Sequence, residues 1–261
     1  MQQESLQANA ELLVDVADGI MTITINRPAA KNAINENVAQ AIANAMDELD
    51  SNPAIRVAIL TGAEGTFCSG MDLKAFVAGE KPVIEGRGFA GICEVPPKKP
   101  IIAAIEGFAL AGGCEIAGAC DIAIAANNAR FGIPETKRGL VAAGGGLMRL
   151  PRQIPRRIAM EMALTGDLYP AERVYELGFI NRLTEPGQSL AVAREMAATI
   201  AANGPLAVAE SKRIINESQD WSSDEMFAKQ AAITDPIFVS ADALEGARAF
   251  AEKRAPVWQG K

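Results

Sequence analysis

An α/β layered fold follows from three features of this sequence. Short β-branched runs alternate with segments of helical periodicity through residues 20–126. Glycine or proline punctuates most of the junctions between them. Apolar residues make up 49% of the 261 positions, enough for a sizeable core in one large domain or one domain with an appendage.

The elements can be read in order. ELLVDVADGIMTITINRP (11–28) is a β-hairpin: two alternating runs flank Asp18-Gly19, a type I′ turn signal, and Pro28 ends the second strand. Asn35 suits the N-cap of a helix over roughly 36–50, where Val38, Ile42, Met46 and Leu49 share one face. IRVAILTG (55–62) is a buried strand, and 63–76 is a loop leading into a helix. Residues 77–97 are rich in Gly, Pro and charge, and the expectation there is a mobile segment. A strand at 101–107, a helix at 111–119 and a strand at 121–126 complete the alternating part. From about 145 the pattern turns helical. Tyr169-Pro170-Ala171-Glu172 starts one short helix that Gly178 ends, and 186–205 is another. Ser222-Ser223-Asp224-Glu225 fits a capping box, and a last helix is expected over 241–253. The expected boundary lies near Asn203-Gly204-Pro205, giving an α/β core over 1–203 and a helical region over 204–261.

Composition narrows the chemistry. There is no histidine, so Ser-His-Asp triads, Cys-His dyads and His-ligated metals are excluded. Acid–base work falls to Asp, Glu, Lys, Tyr or Cys. With 25 basic and 32 acidic residues the net charge is −7, which argues against general binding to nucleic acid or anionic membranes. Cys68, Cys93, Cys114 and Cys120 form no CxxC pair and are expected as free buried thiols in a reducing cytoplasm. No signal-peptide core or apolar run of 18 residues occurs. Neither a G-x-G-x-x-G turn nor a P-loop is present, and Phe67-Cys68-Ser69-Gly70 is not a nucleophile elbow.

The densest stretch is EGFALAGGCEIAGACDIAIAANNARFGIPE (106–135). It places Glu115 just after a Gly-Gly turn and ends on Glu135, both within small or apolar runs. Two carboxylates in dry surroundings can hold different pKa values, so that one gives a proton while the other takes one. Glu115 could equally be a helix-start charge complementing the dipole, and Glu135 a loop charge paired with Lys137 or Arg138. The backbone N–H groups of Met71, after Ser69-Gly70, and of Gly112 are candidate oxyanion donors, although glycine also serves plain tight turns. Arg27, Lys31, Lys74, Lys98 and Lys99 lie near these loops, either for the phosphates of a carrier-bound substrate or as ordinary surface charge.

Together these segments resemble the crotonase (enoyl-CoA hydratase/isomerase) superfamily. The resemblance covers nearly the whole chain. It runs through INRPAAKNAIN (25–35), VAILTGAEGTFCSGMDLKAF (57–76), 99–140, GGGLMRLPR (144–152), 162–183 and AFAEKRAPVWQGK (249–261). It implies a spiral of ββα units followed by a C-terminal helical trimerisation region, assembled as a trimer or a dimer of trimers. It implies an acyl-CoA thioester as substrate, with CoA as part of that substrate and no metal or redox cofactor. Motif by motif, Met71 and Gly112 become the oxyanion donors, and Glu115 and Glu135 the acid–base pair of a 2-enoyl-CoA hydratase. Isomerases commonly lack one of the two glutamates. An isomerase, a carnitinyl-CoA dehydratase-like enzyme and a non-catalytic RNA-binding member are the alternatives. The resemblance places Arg27, Ala30, Lys31, Ser69, Asp72 and Lys74 toward the CoA, with Phe250 and Lys253 reaching a neighbouring subunit's site. Val141, Ala142, Ala143 and Gly144 replace the family's usual Pro-Gly loop beside the acyl pocket.

Overall fold

A computed structural model describes residues 10–261. The first nine residues of the expected 1–203 core lie outside the described residues.

Strands β1 (Leu12–Ala17) and β2 (Ile20–Ile25) pair antiparallel, with Leu12 opposite Ile25 and Ala17 opposite Ile20. Asp18 and Gly19 take φ values of 53° and 76°, the two left-handed residues that a type I′ turn needs. Helix α1 (Glu36–Ser51) follows, and the Asn35 side chain accepts the Val38 N–H at its start. Strand β3 (Val57–Gly62) lies parallel to β2. Then come the short helix α2 (Leu73–Val77), the small hairpin β4 (Val83–Ile84) and β5 (Gly88–Phe89), strands β6 (Ile101–Ile105) and β7 (Phe108–Leu110), and helix α3 (Gly112–Ala119). Strands β8 (Ile122–Ala126) and β9 (Arg130–Gly132) lead through a 3₁₀ turn at Pro134–Arg138 to α4 (Gly146–Gln153) and α5 (Arg156–Thr165). The two-residue strand β10 (Tyr169–Pro170), α6 (Ala171–Glu176), β11 (Arg182–Thr184) and α7 (Ser189–Ala201) close the layered part. Helices α8 (Pro205–Glu217), α9 (Met226–Phe238) and α10 (Ala241–Glu252) follow.

Successive β-pairs feed two sheets, which is what makes the chain a spiral. The large sheet runs β1-β2-β3-β6-β8-β11, and all its pairings after the first hairpin are parallel. The small one runs β10-β9-β7. Thus β6 and β8 pair in one sheet while the strands just after them, β7 and β9, pair in the other. Side chains alternate across the large sheet. Ala58, Leu60, Ala103 and Ile105 face the main core with α1 and α3, while Val57, Ile59, Ile102 and Ala104 face α7 through Ala193 and Ala197. Both faces are therefore buried, which explains why these strands read as continuous apolar runs. An ion pair between Lys212 and Asp121 (2.7 Å) ties α8 to the loop before β8. Among the described residues no helix is long and apolar enough to cross a membrane.

Two expectations need correction. Within 77–97, residues 88–93 are packed rather than loose: Ile92 and Cys93 are buried, and a Cβ on Gly91 would lie 2.4 Å from the Ala39 carbonyl oxygen in α1. Its glycines permit close approach to α1. The capping box does not form at Ser222 either. The Ser222 hydroxyl contacts the Glu225 carboxylate at 3.1 Å, Glu225 itself occupies the N-cap of α9, and that carboxylate pairs with Lys229 instead.

Candidate active site

Strand register brings two distant loops together. Cys68 bridges Ala109: the Cys68 N–H donates to the Phe108 carbonyl at 2.8 Å, and the Leu110 N–H donates to the Cys68 carbonyl at 3.0 Å. The 68–71 turn thereby extends the small sheet and lies against 108–112. On its other side Met71 bridges Ile34. Gly70 has φ 103°, and a Cβ there would lie 2.7 Å from Ala111 Cβ and 3.1 Å from the Gly112 nitrogen. Only glycine allows this approach. Ala111 sits at φ 52°, ψ −127°, a sparsely populated conformation for alanine, and its own N–H is tied to the Gly132 carbonyl at 2.8 Å. Held there, it aims Gly112 as the first residue of α3, where an N–H has no partner within the helix. Met71 and Gly112 line the same groove.

That groove has a volume of about 1010 Å³ and also takes in Glu115 and Glu135. Glu115 lies in the first turn of α3, whose eight residues are all buried, and is itself 4% exposed. The Gly146 N–H donates to its Oε1 at 2.9 Å. Burial pushes the Glu115 carboxyl up from the usual carboxylate range, against the pull of the Gly146 and Gly144 N–H groups and the Arg149 charge. Glu135 sits in the 3₁₀ turn, and its Oε2 is buried with no hydrogen-bond partner. Burial is the main reason its pKa is pushed up to about 7; its own backbone N–H and Arg138 oppose the rise, and the Glu115 charge adds to it. Glu135 forms no ion pair with Lys137, which pairs with Asp167 at 2.7 Å.

The other expected residues divide. Ala30, Lys31, Ser69, Asp72, Lys74, Val141, Ala143 and Gly144 line the groove. Ala142 does not; it faces an adjoining cavity. Arg27 is absent from the groove wall. Its guanidinium pairs with Glu11 and Asp72 at 2.8 and 2.9 Å and donates to the Ala33 carbonyl at 2.6 Å, which pins the loops that carry Lys31 and Met71. Asp72 also caps α2. Burial would raise its carboxyl, but the Arg27 guanidinium and the Ala75 and Lys74 N–H groups outweigh that and hold it low. Lys99 reaches the Asn52 and Ile55 carbonyls beyond the end of α1, away from the groove. Phe250 is 87% exposed on α10, and Lys253 follows that helix; neither lines the groove of its own chain.

Sequence reasoning missed Phe89, Cys93 and Arg149, which also line the groove. Phe89 packs where a Cβ on Gly112 would have to be, 2.4 Å from its ring. Arg149 donates to the Gly144 carbonyl at 3.3 Å and the Cys93 carbonyl at 2.5 Å, joining two loops beside Glu115. The density of glycines in 86–91 and 144–146 was the available signal, since it marks close backbone approach.

Comparison with known proteins follows the same lines. The pattern of the enoyl-CoA hydratase/isomerase family matches residues 15–261. Enoyl-CoA hydratase EchA19 of Mycobacterium tuberculosis is 41% identical over 268 residues, covering 98% of this chain and 99% of that protein. Carnitinyl-CoA dehydratase of Salmonella typhi is 40% identical over 250 residues, covering 93% and 95%. The crystal structure of enoyl-CoA hydratase EchA1 from Mycobacterium marinum superposes with a TM-score of 0.95 at 59% identity, over 97% of this chain and 100% of that one.

Proposed function

Because the chain belongs to the enoyl-CoA hydratase/isomerase family, the crotonase superfamily, we propose that it is an enoyl-CoA hydratase, adding water across the C2=C3 bond of a 2-enoyl-CoA or running the reverse dehydration. The observation that carries this reading is the pairing of Glu115 with Glu135 in one groove, the second with an unpartnered buried oxygen. Isomerisation moves a proton and needs one carboxylate. Hydration must handle a water and a carbon-bound proton together, which suits two.

The thioester oxygen would accept the Met71 and Gly112 N–H groups, which stabilise it as negative charge develops. One such donor is typically worth roughly 2.7–4 kcal/mol in the transition state. Glu115, held toward its ionised form by the Gly146 N–H, takes a proton from water as the water oxygen bonds to C3. Glu135, with its pKa pushed up to about 7, delivers a proton to C2 as the enolate collapses. Proton exchange within the pair restores the starting state, and dehydration runs the steps backward. CoA enters as part of the substrate, and no step calls for a metal or redox group. Lys31 and Lys74, two of the cations that line the groove, would meet its phosphates.

The assembly we propose is a trimer or dimer of trimers formed by copies of this chain, working in the cytoplasm. Phe227 and Phe238 of α9 are each 75% exposed and Val239 is 79% exposed, apolar area that supports a covering partner. In such an assembly Phe250 and Lys253 of one copy reach the CoA site of the next. Sedimentation velocity tests the assembly. For the chemistry, crotonyl-CoA is incubated in ¹⁸O-water while the enoyl-thioester absorbance is followed. The expected result is loss of absorbance with label at C3; double-bond migration without label overturns the reading.

A further inference from the structure

Three consecutive glycines, Gly144, Gly145 and Gly146, are buried between two charged side chains. On one side stands Glu115: a Cβ at Gly144 would lie 2.8 Å from its Oε2, and one at Gly146 would lie 3.0 Å from its Cγ. On the other stands Arg149, whose guanidinium occupies the place that a Cβ at Gly145 would need. Gly145 takes φ 96°, a sharp turn between two residues that both direct their N–H groups to the Glu115 carboxylate.

Arg149 holds this turn from behind. Its Nη1 donates to the Gly144 carbonyl at 3.3 Å and its Nη2 to the Cys93 carbonyl at 2.5 Å. The Gly144 carbonyl belongs to the peptide that lies between the two whose N–H groups meet Glu115. Cys93 is buried in the packed 88–93 segment, so the second bond anchors the turn to a part of the chain 56 residues away. Both partners are backbone carbonyls, and among the described residues Arg149 forms no ion pair. A planar guanidinium fork can span two acceptors at fixed spacing, which an ammonium does poorly.

We propose that Arg149 is a positioning residue for the reaction: it holds the 144–146 turn so that its N–H groups meet Glu115, and its positive charge favours the ionised carboxylate that receives a proton from water. The proposal rests on the hydratase reading for the role of Glu115. The other groups around Glu115 leave this task to Arg149. Glu135, which lines the same groove, carries like charge when ionised, and Arg138 acts on Glu135 instead. Cys93 and Cys114 feel the Glu115 charge, but burial pushes both thiols up, Cys114 to about 12, so they stay neutral. The Arg149 charge opposes the burial that pushes the Glu115 carboxyl up.

The sign of the pH effect follows. Hydration needs one proton on the glutamate pair. At low pH both carboxyls are protonated and Glu115 cannot accept, which sets the acid limb of kcat/KM. Removing a neighbouring cation disfavours the carboxylate, so that limb moves to higher pH. The alkaline limb reports loss of the last proton, held on Glu135, and moves less.

Hydration of crotonyl-CoA is measured against pH for wild type, Arg149→Gln and Arg149→Lys. Arg149→Gln loses both charge and fork. Its kcat should fall roughly 10²-fold, as for a misplaced catalytic group, with KM little changed and the acid limb moved up. Arg149→Lys keeps the charge, so its acid limb should stay in place while the lost fork costs roughly tenfold in kcat. Infrared titration of protein carrying ¹³C-glutamate needs no turnover, and the band missing from Glu115→Gln marks the Glu115 carboxyl. Its midpoint should rise in Arg149→Gln and hold in Arg149→Lys. A raised KM with kcat intact overturns the proposal, since it makes Arg149 a substrate contact. So does a kcat that falls with Tm in Arg149→Gln while the acid limb and the infrared midpoint stay put, the mark of a merely structural residue. Should Arg149→Gln not fold, wild-type kcat in Arg149→Lys overturns the clamp. A wild type that hydrates no enoyl-CoA would sink the hydratase reading, and the infrared midpoints would still decide what Arg149 does to Glu115. Hydration with unmoved midpoints would do the reverse.

Discussion

Glu115 and Glu135 face one groove from very different supports. Glu115 stands on a helix with every residue buried, and the Gly146 N–H grips its carboxylate. Glu135 stands on a one-turn 3₁₀ segment with one oxygen buried and unpartnered. Burial raises the pKa of both, but only Glu135 lacks a neighbouring loop N–H to resist it. On the proposed reading this contrast divides the labour: the neighbouring-loop donors would keep Glu115 ready to accept a proton, and the lack of them at Glu135 would leave that carboxyl ready to give one.

The hardest test of that contrast removes each charge in turn. Glu115→Gln and Glu135→Gln should each lower hydration kcat by about 10²–10⁴-fold, the usual worth of a general acid or base, with circular dichroism unchanged. Equal wild-type rates in either variant would end the division of labour. A milder variant disturbs only the grip on Glu115. A Cβ at Gly144 would lie 2.8 Å from Glu115 Oε2, so Gly144→Ala should cost about 10² in kcat through misplacement while KM changes little. The pH dependence tests the single proton that the pair shares. As pH rises past about 7, Glu135 loses the proton that hydration needs, and kcat/KM should fall about tenfold per pH unit. Dehydration starts from the same singly protonated pair with the proton on Glu115, so its kcat/KM should fall in parallel over that range. Outside the pair, Lys74→Ala should raise KM by about fivefold or less, as expected of an exposed ion contact, and leave kcat and the pH profile alone.

The smallest effect is on stability. The folded pKa of Glu135 lies near 7, above its ordinary 4.5. Between those values the folded state holds the proton more firmly than the unfolded one. Stability from this group is thus full below pH 4.5 and is lost as pH rises through about 7. Glu135→Gln removes the penalty, so its Tm should match wild type at pH 4 and exceed it at pH 8. Equal Tm values at both pH values would mean that Glu135 is solvated rather than poised.

Much of this was legible in the chain. The hairpin at Asp18-Gly19, the α1 cap at Asn35 and the alternating strands are local matters, and each formed within a few residues of its expected place. Glu115 and Glu135 stood out because a chain without histidine leaves carboxylates as the leading acid–base candidates, and these two sit in small or apolar runs. Arg27 was harder. A guanidinium near a binding loop reads as a ligand contact, and only the folded chain brings Glu11 and Asp72 onto it. Phe89 and Arg149 reach the groove across long sequence separations, from segments whose glycines signalled flexibility as readily as close packing.

The sequence by itself determined the elements, the absence of histidine and the motifs that point to the family, because these depend on residue type and short-range spacing. Tertiary structure decided which loops meet at the groove, which carboxylate is gripped and which has an unpartnered oxygen. It also decided that Ala142 turns away from the groove into a cavity of its own. Those outcomes depend on burial and on contacts between loops far apart in the chain. A pKa is set by that surrounding dielectric and by the donors within reach, neither of which a linear reading contains.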